Sequence, residues 1–335
     1  MNNKDPSIAD CHITRDGQNI ASNIVIIDGF SSSGKSLVGP LLGHLNKTEQ
    51  WQIHYEYEYL SIQNYIGELS LTSLSALLKI HADMHLYSLM IGRNVNFRRT
   101  DQSSPYYDDL EEIYLSRIGK KDGDHVLRAE ENKELILPLH VHYLFGNTDI
   151  LYRGFEKSLK LYLILIRDPF FLIDKWFNDE WPSNLCKKSR EFHLCCECIE
   201  GVVPWFAISY AEEYLSASEL EKSILTVYYY FSGLKSMYRS LSKTNLSKTL
   251  FIEFEEFAVS PEPYIDKIIN ILNTTKRESF NNIMKKLSLP REAIDNLGHE
   301  NFLKKYKNNL SQEYLFLLEK LEKIYISLKA DIKTL

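Results

Sequence analysis

The chain has no apolar run approaching the roughly 18 residues that a membrane span requires. Its N-terminal stretch, Met1 to Gln18, is polar and has no apolar core of the kind a secretory signal carries. These absences predict a cytoplasmic protein with neither a span nor a Golgi-type anchor. A basic excess is also missing: 39 Lys and Arg stand against 45 Asp and Glu, for a formal net charge of −6. That balance argues against a general nucleic-acid binder, which needs a cationic surface to displace counterions. Cysteine is scarce, with Cys11, Cys186, Cys195, Cys196 and Cys198 making five. An odd number in a cytoplasmic chain predicts free thiols. Cys186, His193, Cys195 and Cys198 include one C-x-x-C, whereas zinc favours two tight ligand pairs. Incidental thiols are the preferred reading, zinc the alternative, and no metal site is expected. No internal repeat or low-complexity segment is present.

Against these absences stands one complete motif. Gly29-Phe30-Ser31-Ser32-Ser33-Gly34-Lys35-Ser36 matches G-x-x-x-x-G-K-[ST]. Asn23 to Asp28 before it is a short β-branched run, as in a buried parallel strand, and Leu37 to Leu45 after it has helical spacing. Strand, glycine loop and helix is the context the chemistry needs. Loop N–H groups and the helix N-terminus then converge on one anion. Gly29 and Gly34 allow close backbone approach, Lys35 adds a point charge, and Ser36 is a candidate metal ligand. The motif predicts a phosphate-bearing ligand, a nucleotide above all.

Further strands are expected at Trp51 to Tyr59, Glu134 to Val141, Leu159 to Ile166 and Thr249 to Phe254. Helices are expected within Ser61 to Met90, Asp108 to Arg117, Phe170 to Phe177 and Ala211 to Leu241. Two more should run from Pro261 to Leu272 and from Ser311 to Leu328. Asn178 to Gly201 reads as irregular. This alternation predicts one α/β domain over 1–335, a three-layer α/β/α P-loop fold around a mostly parallel sheet. It would carry a polar arm at 1–20 and mainly helical insertions at 60–130 and 178–245. Residues 91–106 concentrate Arg93, Asn94, Asn96, Arg98, Arg99 and Asp101. They read either as a substrate-recognition loop using Arg93, Asn96 and Arg98 or as a solvated connector.

Three segments together resemble the sulfotransferase family. The phosphate loop is similar to the family's 5′-phosphosulfate loop. Leu163-Ile-Leu-Ile-Arg167-Asp168-Pro169 is similar to its strand followed by Arg-x-Pro, whose arginine contacts the 3′-phosphate of 3′-phosphoadenosine 5′-phosphosulfate. Leu250-Phe-Ile-Glu-Phe254-Glu255-Glu256-Phe257, followed by Pro261, is similar to its hydrophobic strand, Tyr-Glu-Asp-Leu and downstream proline. The likeness covers about residues 24–330, and the conjunction is more specific than the second or third segment alone. It implies that donor as co-substrate, Gly29 to Ser36 and Arg167 as its ligands, and a small-molecule or saccharide hydroxyl as acceptor. Physically, a donor with a 5′-phosphosulfate and a 3′-phosphate needs two separated anion sites, and Arg167 can supply a bidentate fork. Two positions depart from the family. Ser32 stands where a lysine usually polarises the bridging oxygen, with Lys35 further on, and Lys175 stands where many members have serine. Lys175 could still meet a phosphate. Gly298 to Lys307, with Lys304 and Lys305, loosely resembles the basic segment that closes over the 3′-phosphate.

Transfer to a hydroxyl needs a base. The resemblance implies a histidine ending the strand before the arginine segment. His140 and His142 occupy that place, with His142 preferred because Tyr143-Leu144-Phe145 should leave the strand as a loop. Glu56 and Glu58 are reserve bases, Glu56 also being a candidate acceptor contact. The alternative is a P-loop kinase using ATP and Mg²⁺. It would place Lys35 on the β/γ-phosphates, Ser36 on the metal with Asp168 or Glu56, and Arg98 and Arg99 in a lid. The sequence leaves oligomeric state open.

Overall fold

The computed structural model describes residues 11–333 apart from 16, 143, 145, 146, 148 and 295. Residues 1–10 of the polar arm therefore lie outside the described residues. β1 (Ile24–Gly29) is central, and its alternating side chains divide the core in two. Ile24 and Ile26 pack into one apolar cluster and Val25 and Ile27 into the other. Both faces are buried, which is why the strand reads as a continuous apolar run. β2 (Gln52–Ile53), β3 (Leu137–His140), β4 (Leu159–Ile166) and the last parallel strand, Thr249–Glu253, complete the sheet. Their spatial order is β2, β3, β1, β4, Thr249–Glu253, all pairs parallel. Ile27 lies opposite His140 on one side and Leu163 on the other. Helices cover both faces, giving the three-layer α/β/α arrangement. α1 (Lys35–Gly43) and the helices 254–259, 262–272 and 280–286 cover one face. α2 (Tyr55–Tyr65), α3 (Leu71–Met90) and the helices 149–155, 169–178, 219–240 and 312–333 cover the other.

The expected second strand is mostly helix. Only Gln52 and Ile53 pair with β3, and α2 begins at Tyr55. The alternating tyrosines suggest a strand, but the residues actually buried are Tyr57, Glu58, Ser61 and Ile62. That is the one-face spacing of a helix. Glu56 and Glu58 therefore sit on a helix and not on a strand. The irregular segment also contains structure: Cys195–Cys198 (β5) and Gly201–Pro204 (β6) form an antiparallel hairpin.

The free-thiol expectation is overturned at one pair. The chain doubles back so that the Cα atoms of Cys186 and Cys195 lie 5.8 Å apart, and the two are disulfide-bonded. Among the described residues, Cys11, Cys196 and Cys198 take part in no disulfide. Among the described residues no cluster of three or more His, Cys, Asp or Glu is placed to hold a metal ion. Nor is any helix among them long and apolar enough to cross a membrane.

Candidate active site

The loop after β1 is set by two glycines and a buried carboxylate. Gly29 has φ 146° and Gly34 has φ 100°, both strained for any other residue. A Cβ on Gly29 would lie 2.6 Å from the Leu165 carbonyl oxygen and 2.6 Å from Ser33 Oγ. A Cβ on Gly34 would lie 2.3 Å from the Phe254 ring. The loop is thus pressed against the ends of two neighbouring strands. Phe30 anchors it from below, 4.8 Å from Trp176 and 5.1 Å from Tyr230 between ring centroids. Asp28 accepts the Gly29 N–H at 2.6 Å and the Tyr162 hydroxyl at 2.9 Å. Burial pushes its carboxyl up to about 6, against the opposing pull of Lys35 and of those two donors.

Lys35 turns inward. Its ammonium donates to the carbonyls of Gly29 at 2.6 Å and Phe30 at 2.8 Å. Burial pushes it down to about 8, although Asp28 and Glu58 pull the other way. In this state Lys35 braces the loop from beneath and adds positive charge there. The Ser33 hydroxyl is buried and has no hydrogen-bond partner among the described residues. An unpaired buried donor is costly and needs an explanation, and an anion over the loop would supply one. Ser36, the first-turn serine, is exposed.

Arg167 follows β4. Its Nη1 donates to the Ser32 carbonyl at 2.9 Å, across a loop residue with φ 65°. The guanidinium lies between two rings, 3.5 Å from the Phe171 centroid and 4.0 Å from that of Phe254. Burial lowers it to about 10, still charged near neutrality. Arg291 stands on the same Phe254 ring at 5.9 Å and adds to the positive field at Arg167. Asp168 and Pro169 serve the following helix. Asp168 caps it by accepting from Phe170 N at 2.7 Å and Phe171 N at 3.0 Å, and proline occupies the first turn. The second Asp168 oxygen accepts the Gly298 N–H at 3.1 Å, which brings the C-terminal segment to the rim of the site.

His140 ends β3 and His142 follows it, on the other side of β1. His140 is buried, its two ring nitrogens have no hydrogen-bond partner among the described residues, and burial pushes it well below the usual histidine range. His142 is partly exposed. Its backbone N–H and Nδ1 both meet Glu58 Oε1, the latter at 3.1 Å. A carboxylate only accepts, so Nδ1 carries the proton and Nε2 is the basic nitrogen. The two imidazoles stack at 4.7 Å. Of the segment expected to leave the strand, Tyr143 and Phe145 lie outside the described residues.

Other predicted contacts have partners of their own. Lys175 pairs with Asp179 at 2.8 Å, Lys304 with Glu300 at 3.1 Å and Lys305 with Asp174 at 2.6 Å. Glu56 binds His54 at 2.9 Å; burial raises its carboxyl, but the hydrogen bonds from His54 and from its own backbone, with the charges of His54 and His81, together leave it below the ordinary value. The 91–106 loop closes on itself: Asn96 donates to Asp101 and Ser103, Arg98 pairs with Asp101, and Arg93 reaches Asp122. The sequence reading missed Asp28, Tyr162 and Arg291, and it gave Glu58 only a reserve part. Asp28 carries a signal, being a carboxylate inside an apolar strand. Arg291 carries none.

No family model matches the chain, and no curated protein is significantly similar to it. Among solved structures it is similar to the sulfotransferase domain of the curacin biosynthetic pathway. The TM-score is 0.44 at 13% identity, covering 90% of this chain and 97% of that one. It is similar to the sulfotransferase domain of the Synechococcus PCC 7002 olefin synthase, with TM-score 0.40 and 12% identity over 92% and 98%. The sulfotransferase from Alicyclobacillus acidocaldarius gives TM-score 0.38 and 15% identity over 89% and 94%.

Proposed function

We propose that this chain transfers a sulfuryl group from 3′-phosphoadenosine 5′-phosphosulfate to the hydroxyl of a small molecule. One observation carries the reading: the strand order β3, β1, β4. In a parallel sheet the carboxyl ends open on one crevice. The order therefore sets a carboxylate-held histidine, a glycine loop and Arg167 at the ends of adjacent strands about 4.8 Å apart, with Arg291 on the Phe254 ring that also packs against Arg167. A donor with two anionic ends fits that row. The unpaired Ser33 hydroxyl and the loop amides suit the 5′-phosphosulfate. Arg167 and Arg291 suit the 3′-phosphate. His142 stands on the far side, where an acceptor would approach.

The residues then divide the reaction. Glu58 holds His142 so that Nε2 takes the hydroxyl proton. The acceptor oxygen bonds to sulfur as the sulfur–oxygen bond to the 5′-phosphate breaks, its electron pair leaving with adenosine 3′,5′-bisphosphate. Loop donors and Lys35 stabilise the charge that develops on the leaving oxygen. The kinase reading finds less support. Asp168 has both oxygens engaged and Glu56 is held by His54, so neither proposed partner for a Mg²⁺ on Ser36 is available. The test is incubation with the phosphosulfate donor and a mixed panel of hydroxyl compounds. Release of adenosine bisphosphate with a sulfated product, without added metal, is expected. Turnover of ATP with Mg²⁺ and none of the phosphosulfate would overturn the reading.

A further inference from the structure

The turn that opens the phosphate loop is held by two buried groups of opposite charge. Asp28, near the end of β1, accepts the Gly29 N–H on Oδ1 at 2.6 Å and the Tyr162 hydroxyl on Oδ2 at 2.9 Å. Lys35, the first residue of α1, donates from Nζ to the carbonyls of Gly29 at 2.6 Å and Phe30 at 2.8 Å. Gly29 is thus fixed at both ends, its N–H by the carboxylate and its C=O by the ammonium. Other loop carbonyls are also engaged within the protein. Phe30 O accepts the Ser33 N–H at 3.1 Å, Ser32 O accepts Arg167 Nη1 at 2.9 Å, and Gly34 O accepts the Leu37 N–H at 2.9 Å. A carbonyl oxygen turned toward an anion would repel it, and these oxygens have donors of their own. Lys35 makes the stronger, charge-assisted bonds of this set only while it keeps its proton.

Burial works against that proton. It is the largest influence on both groups, raising Asp28 and lowering Lys35, and each is the strongest opposing influence on the other. The groups around the pair come from five elements. Glu58 from α2 acts on both, and Tyr162 from β4 is bonded to Asp28. Tyr152 and Tyr230, from helices 149–155 and 219–240, lie in the field of Asp28, and His140 from β3 lies in that of Lys35. After Asp28, only Glu58 among these favours a charged Lys35. We propose that Asp28 is a positioning residue of the phosphate loop, which fixes the loop's first peptide and keeps Lys35 charged beneath the leaving oxygen. It touches no reactant and acts through Lys35. An apolar residue here, like the rest of β1, would leave a buried ammonium without its main counter-charge, and such a group escapes by losing its proton. The part played in transfer rests on the reading above; the hold of Asp28 on Lys35 does not.

The test follows Lys35 directly. In protein carrying carbon-13 lysine, the ε-carbon signal of Lys35 is identified by its loss in Lys35→Met and titrated by NMR. The wild-type midpoint should lie at about 8. Asp28→Asn keeps an acceptor for the Gly29 N–H but no charge, and its midpoint should fall about one pH unit lower. Asp28→Ser should give the same drop and takes its place if the asparagine variant does not fold. Tyr162→Phe removes a hydrogen bond beside Asp28 but leaves the carboxylate, so its midpoint should stay near the wild-type value. With the phosphosulfate donor saturating, the alkaline limb of the kcat–pH profile should move down in Asp28→Asn by a similar interval. An unchanged Lys35 midpoint in the uncharged variants, or an equal drop in Tyr162→Phe, would overturn the role of Asp28 whatever the chain transfers. An alkaline limb that stays in place while the midpoint drops would overturn its part in transfer. A midpoint that drops as expected, in a protein that does not bind adenosine 3′,5′-bisphosphate, would support the hold on Lys35 and overturn the transfer reading alone.

Discussion

On the β4 side of the phosphate loop, Arg167 lies between two phenyl rings and reaches a backbone carbonyl of the loop itself. On the β3 side, His142 leans on Glu58, a carboxylate 84 residues earlier in the chain. The first flank consists of a half-buried guanidinium tied to the loop backbone, along with glycines that tolerate no side chain. The second consists of partly exposed rings, one carboxylate and a segment closed by a disulfide. The difference suits two tasks. A donor of fixed shape is best met by a rigid cradle, whose groups need no reorganisation at the moment of transfer. An acceptor must enter, react and leave, and the rings on that side offer surface without a tight cage.

The two flanks should respond differently to mutation. The largest effect is expected on the acceptor side. His142→Ala should lower turnover by about 10²–10⁴, the usual range for loss of a general base, with bisphosphate affinity nearly unchanged. Glu58→Gln should reduce turnover less, because the tautomer is no longer enforced. If His142→Ala weakened the donor as much as it slowed turnover, the separation of the two flanks would be wrong.

Next in size is a change on the donor side. Gly34→Ala puts a methyl group into the Phe254 ring at a residue with positive φ. It should cost about 1–3 kcal/mol of stability and weaken the donor, read by thermal melting and by titration with the bisphosphate. An unchanged melting temperature would show that the loop yields easily and that the cradle is not rigid.

The smallest effect is on pH dependence. Lys35 has been pushed down to about 8, so in the free protein it loses its charge as pH rises through that value. An anionic donor favours the charged form. Bisphosphate affinity should therefore fall by several-fold between pH 7 and pH 9, a range over which Arg167, at about 10, keeps its charge. Lys35→Met should bind more weakly at pH 7 and lose most of that dependence. A wild-type affinity that rises with pH would contradict the placement of Lys35 beneath the loop.

The same contrast decides what was legible in the sequence. β4 and the Thr249–Glu253 strand follow from apolar runs, and the loop from its local motif, because each is encoded within a dozen neighbouring residues. Arg167 follows from its place at a strand end, although the Asp-Pro after it is explained by helix capping. The flank around His142 is assembled from α2, the end of β3 and the segment before the hairpin, which no local pattern connects. The tyrosines of α2 mislead in particular: Tyr55, Tyr57 and Tyr59 alternate like a strand, while Tyr57 and Glu58 are buried together as neighbours on a helix. Cys186 and Cys195 pair only because the intervening segment folds back, which their spacing does not reveal.

Titration calorimetry with adenosine 3′,5′-bisphosphate in the absence of metal tests the central claim most directly. Wild-type protein and His142→Ala should bind one equivalent with similar affinity. Arg167→Ala should bind about thirty- to a hundredfold more weakly, as expected when a buried phosphate loses charged hydrogen bonds, and Arg167→Lys should recover little because it lacks the planar fork. Binding that requires Mg²⁺ and prefers ADP, or binding indifferent to Arg167→Ala, would contradict the account.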